Sequence, residues 1–196
     1  MIKNIIHRPA VRSKSILRNR CNFSIVSIHS TFPATLYRLQ FRRESQLYDK
    51  KEQQEDSEIE DAVNIFQDGH VYPEVSESVA NGALFMPNTF FMQETTRMSL
   101  DYYFDNLTDN RPSADPHILC IPKGTPIPRT LTLLRERNIR SRFWLQPSFP
   151  MALNDLNSTL TDFYSKYGTA TSSEKWFEEH EYHKSFDDSK DDWMKG

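Results

Sequence analysis

The sequence predicts a small α+β domain, and three observations carry that expectation. Strand-like alternation recurs in short stretches separated by turn residues. One late segment places leucines and aromatics at helical spacing. The length, 196 residues, accommodates one ordinary domain plus tails. The domain is expected over about 34–167, behind a basic segment 1–33 and ahead of an acidic, loosely ordered tail 168–196.

Taken in order, the first element is Leu36–Phe41, where Tyr37, Leu39 and Phe41 alternate with Leu36, Arg38 and Gln40. Asp49 to Asp61 is highly charged and reads as a loop or loose helix. Gln67-Asp-Gly69, Tyr72-Pro73, Asn81-Gly82 and Met86-Pro-Asn88 punctuate the next stretch, and Asn81-Gly82 supplies a cheap positive φ leading into Ala83–Met86. Thr89 to Met98 is mixed and leads into a helix around Leu100–Phe104, followed by a polar loop from Asn106 to Pro116. His117–Ile121 is a compact apolar strand in which Cys120 reads as a buried small hydrophobe, and Lys123-Gly124 turns the chain. Two more strands, Thr130–Arg135 and Arg142–Gln146, flank a basic loop through Arg137 and Arg140. Leu153, Leu156, Leu160, Phe163 and Tyr167 then define a helix that should cover one face of the sheet, with Pro150 near its start, where a missing N–H costs nothing.

Composition excludes several classes. Five glycines, none close to another, leave no G-x-G-x-x-G and no G-x-x-x-x-G-K, so a bound dinucleotide would not rest on a Rossmann turn. No run of about 18 apolar residues occurs, which excludes a transmembrane helix. Two cysteines make neither a disulfide framework nor a zinc site. With mean hydropathy at −0.68, the chain reads as soluble and intracellular.

Charge is unevenly spread. Nine of the 24 basic residues precede Glu44, the first acidic one, leaving 15 basic against 27 acidic residues behind. Arginines interrupt Ile2, Ile5, Ile6, Val11, Ile16 and Leu17 in a serine-rich, acid-free segment, the pattern of a mitochondrial presequence. A basic arm touching nucleic acid or anionic lipid is the alternative, and a cytoplasmic location goes with it. Three N-x-S/T triplets, at Asn22, Asn106 and Asn157, have no meaning without secretion.

Among candidate chemical groups, His180 and His183 stand three apart and could share a metal, but no third ligand is placed and a solvated surface is the plainer reading. There is no G-x-S-x-G elbow and no DNA-binding motif. Arg38 is the most suggestive residue, because an inward-facing strand arginine is costly to bury unless it meets an anion. Its alternative is an edge-strand arginine facing water.

The segments Leu36-Tyr-Arg38, Asn81-Gly-Ala-Leu-Phe-Met-Pro-Asn-Thr89, Ile121-Pro-Lys-Gly-Thr-Pro-Ile-Pro128 and Gln146-Pro-Ser-Phe-Pro-Met151, in this order, resemble the type VI secretion effector-two toxin family and its eukaryotic relatives, an ADP-ribosyltransferase-like group. The resemblance implies a small split β-sandwich with flanking helices that clamps NAD, as substrate, between two sheets. It implies Arg38 as a catalytic and NAD-binding arginine, with Tyr37 beside it. Asn88, Thr89 and Gln93 would shape the nicotinamide pocket, although Met92 or Gln93 stands where bacterial members carry a small hydroxyl residue. Gln146 would be the second catalytic residue, contacting the ribose. The family's late-strand glutamate is missing, since Arg142–Gln146 holds no carboxylate; Glu136 on the preceding loop is a substitute. A neutral amide orients a hydroxyl but does not neutralise an oxocarbenium ion.

The expected activity is ADP-ribose transfer to a protein or other macromolecular acceptor, or NAD hydrolysis, with an antidote protein as a further partner. The alternative is a non-catalytic NAD-binding or protein-interaction module delivered to mitochondria.

Overall fold

The computed structural model describes residues 25–52, 62–74, 81–109, 114–136, 139 and 141–180. Two antiparallel sheets dominate these residues. The larger has the order β1 (Ile25–His29), β8 (Leu131–Glu136), β9 (Phe143–Pro147), β6 (Ala83–Phe85). The smaller has the order β11 (Thr169–Ser172), β7 (His117–Ile121), β2 (Leu36–Gln40). Two short ladders complete the strands: β3 (Tyr48–Asp49) runs parallel to β4 (Ala62–Val63), and β5 (His70–Val71) antiparallel to β10 (Met151–Ala152). The helices are α1 (Phe90–Thr108), α2 (Leu153–Tyr167) and α3 (Ser173–Glu179), with a 3-10 turn at Lys50–Glu52. This is an α+β fold, as the sequence predicts.

An antiparallel bridge between Tyr37 and Met86 joins the two large sheets, so β2 meets the end of β6 at one point. Strand pleating then divides the apolar residues into two clusters. One gathers Leu36, Leu119, Ile121, Leu133, Leu145 and Phe85 beneath α2, which contributes Leu156, Leu160, Phe163 and Tyr164. The other gathers Leu39, Ile118, Leu134, Trp144, Leu84 and Met86 against Met92 of α1 and Trp176 of α3. Each fully buried leucine or phenylalanine of α2 is worth about 1.5–3 kcal/mol. That outweighs any propensity term, and it is why the sequence of this helix carries a clear apolar periodicity. Pro150 precedes it, and Asp155 lies in its first turn.

Several expectations need correction. The helix foreseen around Leu100–Phe104 begins ten residues earlier, because the Thr89 side chain accepts the Met92 N–H as an N-cap. Apart from Met92, its inward side carries Gln93, Thr96, Ser99 and Asn106, while Met98, Tyr102, Phe104 and Leu107 are exposed. No apolar inward stripe therefore marked it in the sequence. Gly82 does not have a positive φ; those belong to Gly69 (φ 78°) and Gly124 (φ 83°). Gly82 is required by close approach instead, since a Cβ there would sit 2.3 Å from the Leu145 carbonyl oxygen. Cys120 is half-buried, and burial raises its thiol pKa.

Structured elements also extend past 34–167 on both sides. Ile25–His29 pairs with β8, so only residues 1–24 of the basic segment lie outside the described residues. Thr169–Ser172 pairs along β7, and Trp176 is 1% exposed, so the start of the tail belongs to the core. Residues 181–196, with His183, lie outside the described residues, as do Arg137 and Arg140. No described helix is long and apolar enough to cross a membrane.

Candidate functional site

Arg38 does not face water. It is 2% exposed, and its Nη1 donates to the Leu84 carbonyl of β6 at 3.2 Å. Burial alone does not single it out, because Arg135 is also buried, with its guanidinium carbon 5.8 Å from the centre of the Phe143 ring. Arg38 differs in its place. It follows Tyr37, whose backbone N–H donates to Met86 at 2.7 Å and whose carbonyl accepts from Met86 at 2.8 Å. The guanidinium thus lies where the smaller sheet joins the larger one.

Met86 is followed by Pro87, Asn88 and Thr89, so the same junction leads directly into α1. The Gln93 Nε2 donates to the Asn88 Oδ1 at 2.7 Å, and the Gln93 backbone N–H donates to the Thr89 carbonyl at 3.0 Å. Thr89 and Gln93 are buried and Asn88 half-buried. These three residues are brought together as the start of a helix, and their mutual hydrogen bonds fix the segment after the junction.

Tyr37 turns its side chain the other way, toward α3. Its ring packs edge-on to Trp176 at 5.5 Å and to His180 at 5.3 Å, and its hydroxyl lies 3.0 Å from the His180 Nε2. Burial, followed by the charges of Cys120 and Glu179, pushes the Tyr37 hydroxyl up to about 12. His180 is therefore docked on the fold, not on a solvated surface. No cluster able to hold a metal occurs among the described residues. Sequence reading missed this pairing, because 143 positions separate the two residues.

Gln146 is 1% exposed, and its Oε1 accepts the Asn81 N–H at 2.9 Å and the Glu74 N–H at 3.3 Å. Asn81 in turn donates to the carbonyls of Asn64 and Tyr72 and accepts the Asn64 N–H at 2.7 Å. The pleat sets Gln146 on the Trp144 face of β9, whereas Arg38 shares the Leu36 face of β2, and those faces belong to different clusters. Arg38 thus meets β6 at Leu84 and Gln146 meets Asn81 just before that strand, without sharing a face. Glu136 holds the Trp144 indole N–H at 3.2 Å.

The buried arginine, the helix-start cluster and the Gln146 hub occupy the segments on which the sequence resemblance rests. A family model described as Tse2 ADP-ribosyltransferase toxin matches residues 34–176. No curated protein and no solved structure matches the chain. The chain belongs to the Tse2 ADP-ribosyltransferase toxin family and is an ADP-ribosyltransferase-like toxin.

Proposed function

We propose that this member of the Tse2 ADP-ribosyltransferase toxin family takes NAD as its substrate and transfers ADP-ribose to a protein or other macromolecule, or to water. In that reaction the bond between the nicotinamide nitrogen and ribose C1′ breaks, and nicotinamide leaves with the electron pair. The acceptor then bonds to C1′ and loses its proton. Arg38 binds the NAD phosphate or ribose, a role that suits its planar, always-charged fork of donors. Tyr37 holds the strand that carries it. Asn88, Thr89 and Gln93 fix the wall beside the nicotinamide, and Gln146, on the other face, braces the segment leading into β6 through Asn81 and Glu74. The observation supporting this reading is the almost complete burial of Arg38 at the sheet junction.

The test is nicotinamide release by the purified full chain beside Arg38→Ala and Arg38→Lys. Release should fall at least tenfold in both variants, because lysine offers a point charge where a fork is needed. Equal release by all three would remove Arg38 from the site.

A non-catalytic NAD-binding or interaction module is the second reading. It is favoured by β9, which has no carboxylate and whose Gln146 carbonyl is committed to two backbone N–H groups. NAD binding without nicotinamide release would select it. The arginine-rich segment is proposed to direct the chain to mitochondria, and a fluorescent protein fused behind residues 1–24 should then reach that compartment. An antidote protein that relieves toxicity completes the proposal, and co-expression selection would identify it.

A further inference from the structure

We infer that His180 is a positioning residue for Arg38, acting through Tyr37; this rests on the reading of Arg38 as the NAD-binding group. His180 lies beyond residues 34–176, which the family model matches.

Strand β2 lies at the edge of the smaller sheet. On one side it pairs with β7 along its whole length. On the other, among the described residues, its ladder contact to the larger sheet is the Tyr37–Met86 bridge. A displacement of Tyr37 therefore displaces both that bridge and Arg38, the next residue, whose Nη1 reaches Leu84 two positions before Met86.

The Tyr37 side chain packs edge-on against Trp176 of α3 and against His180, the residue that follows the helix, and its hydroxyl meets the His180 ring. Trp176 is 1% exposed, and its ring stacks on His180 with 4.7 Å between centroids and 22° between planes. Helix α3 is itself anchored at its start. Ser172 caps it through the Lys175 N–H, and the buried Ser173 hydroxyl donates to the Pro116 carbonyl at 2.8 Å. The Nδ1 of His180 lies 2.8 Å from the Trp176 carbonyl, which can only accept, so Nδ1 carries the proton. In the neutral ring Nε2 is then an acceptor, and the Tyr37 hydroxyl donates to it at 3.0 Å. Every atom in the path from α3 to Tyr37 has a defined donor or acceptor role. This is how a residue just past α3 sets the position of an arginine on β2.

The experiment uses the full chain with His180→Phe, which keeps a ring on Trp176 but no acceptor, and His180→Gln, whose Oε1 can accept from Tyr37. Two readouts are taken: hydrogen exchange of the Tyr37 and Met86 amides, and NAD affinity by calorimetry. His180→Phe should speed exchange at both amides about three- to tenfold, the scale of one neutral hydrogen bond. Exchange in β8 and β9 should stay unchanged, NAD affinity should weaken by a similar factor, and His180→Gln should restore both. Unchanged junction exchange in His180→Phe, or a His180→Gln no better than His180→Phe, overturns the inference. If the junction responds as expected but the wild type binds no NAD, the clamp stands and the NAD reading falls. Should His180→Phe loosen β8 and β9 as well, Tyr37→Phe makes the same test while leaving the ring in place. Unchanged exchange at Met86 in that variant likewise overturns the inference.

Discussion

The Oε1 of Gln146 accepts the backbone N–H of Asn81 at 2.9 Å, with both residues at most 2% exposed. This contact, with the second one to Glu74, brings Asn81 and Glu74 onto one side-chain oxygen. Gln146→Ala strands a buried N–H and should cost about 1–3 kcal/mol, read as a lower urea midpoint. Gln146→Glu keeps an acceptor and should cost less than Gln146→Ala at neutral pH. The reverse order would mean that burying the charge outweighs the hydrogen bonds.

Gly82 and Gly69 should respond differently to alanine. At Gly82 the new Cβ would meet the Leu145 carbonyl oxygen and, at 2.7 Å, the Gln146 Cα, both backbone atoms that can yield only by separating β6 from β9. Gly82→Ala should therefore destabilise by about 3 kcal/mol or more. Gly69 has open space around it and a φ of 78°, so Gly69→Ala should cost only the left-handed strain, about 1–2 kcal/mol. Thermal unfolding of the two variants in one buffer compares them directly.

Trp176 is the buried anchor of α3. Trp176→Ala should lower unfolding free energy by about 3–5 kcal/mol. Trp176→Phe should cost clearly less, because the buried indole Nε1 has no hydrogen-bond partner to lose. A loss under about 1 kcal/mol for Trp176→Ala would show that α3 detaches without disturbing the sheets.

His29 gives the fold a pH dependence on the acid side. Burial and then the Arg135 charge lower its pKa from the ordinary 6.5, and its Nε2 lies 2.7 Å from the Ser27 hydroxyl. The unfolded chain takes up the proton first, so His29 destabilises the fold as pH falls below about 6.5 and contributes no further loss once the folded ring is protonated. His29→Gln should therefore lose less stability than wild type between pH 7 and pH 5, measured as urea midpoints. Parallel losses in the two proteins would remove His29 as the source.

What could be read from the sequence follows from the range of the interactions involved. Leu36–Gln40, His117–Ile121 and Leu153–Tyr167 form as expected, because each has a local apolar pattern matching its own repeat. Helix α1 begins earlier than expected because its inward side is polar, and α3 escapes notice because Trp176 and Phe177 stand among charged residues. The Arg38 and Met86–Thr89 segments are recognisable as motifs, but their side chains divide between two faces that no linear spacing reveals.

By itself, then, the sequence determined the α+β class, the principal strands, the α2 helix and, through its ordered motifs, the toxin family. Only the tertiary structure decided that Arg38 is buried at a sheet junction, that Gln146 serves Asn81 and Glu74, and that His180 holds Tyr37. Secondary structure is set by neighbours along the chain. Burial and hydrogen-bond partnership are set by residues that meet only after the chain has closed, here over separations of 46, 65 and 143 positions.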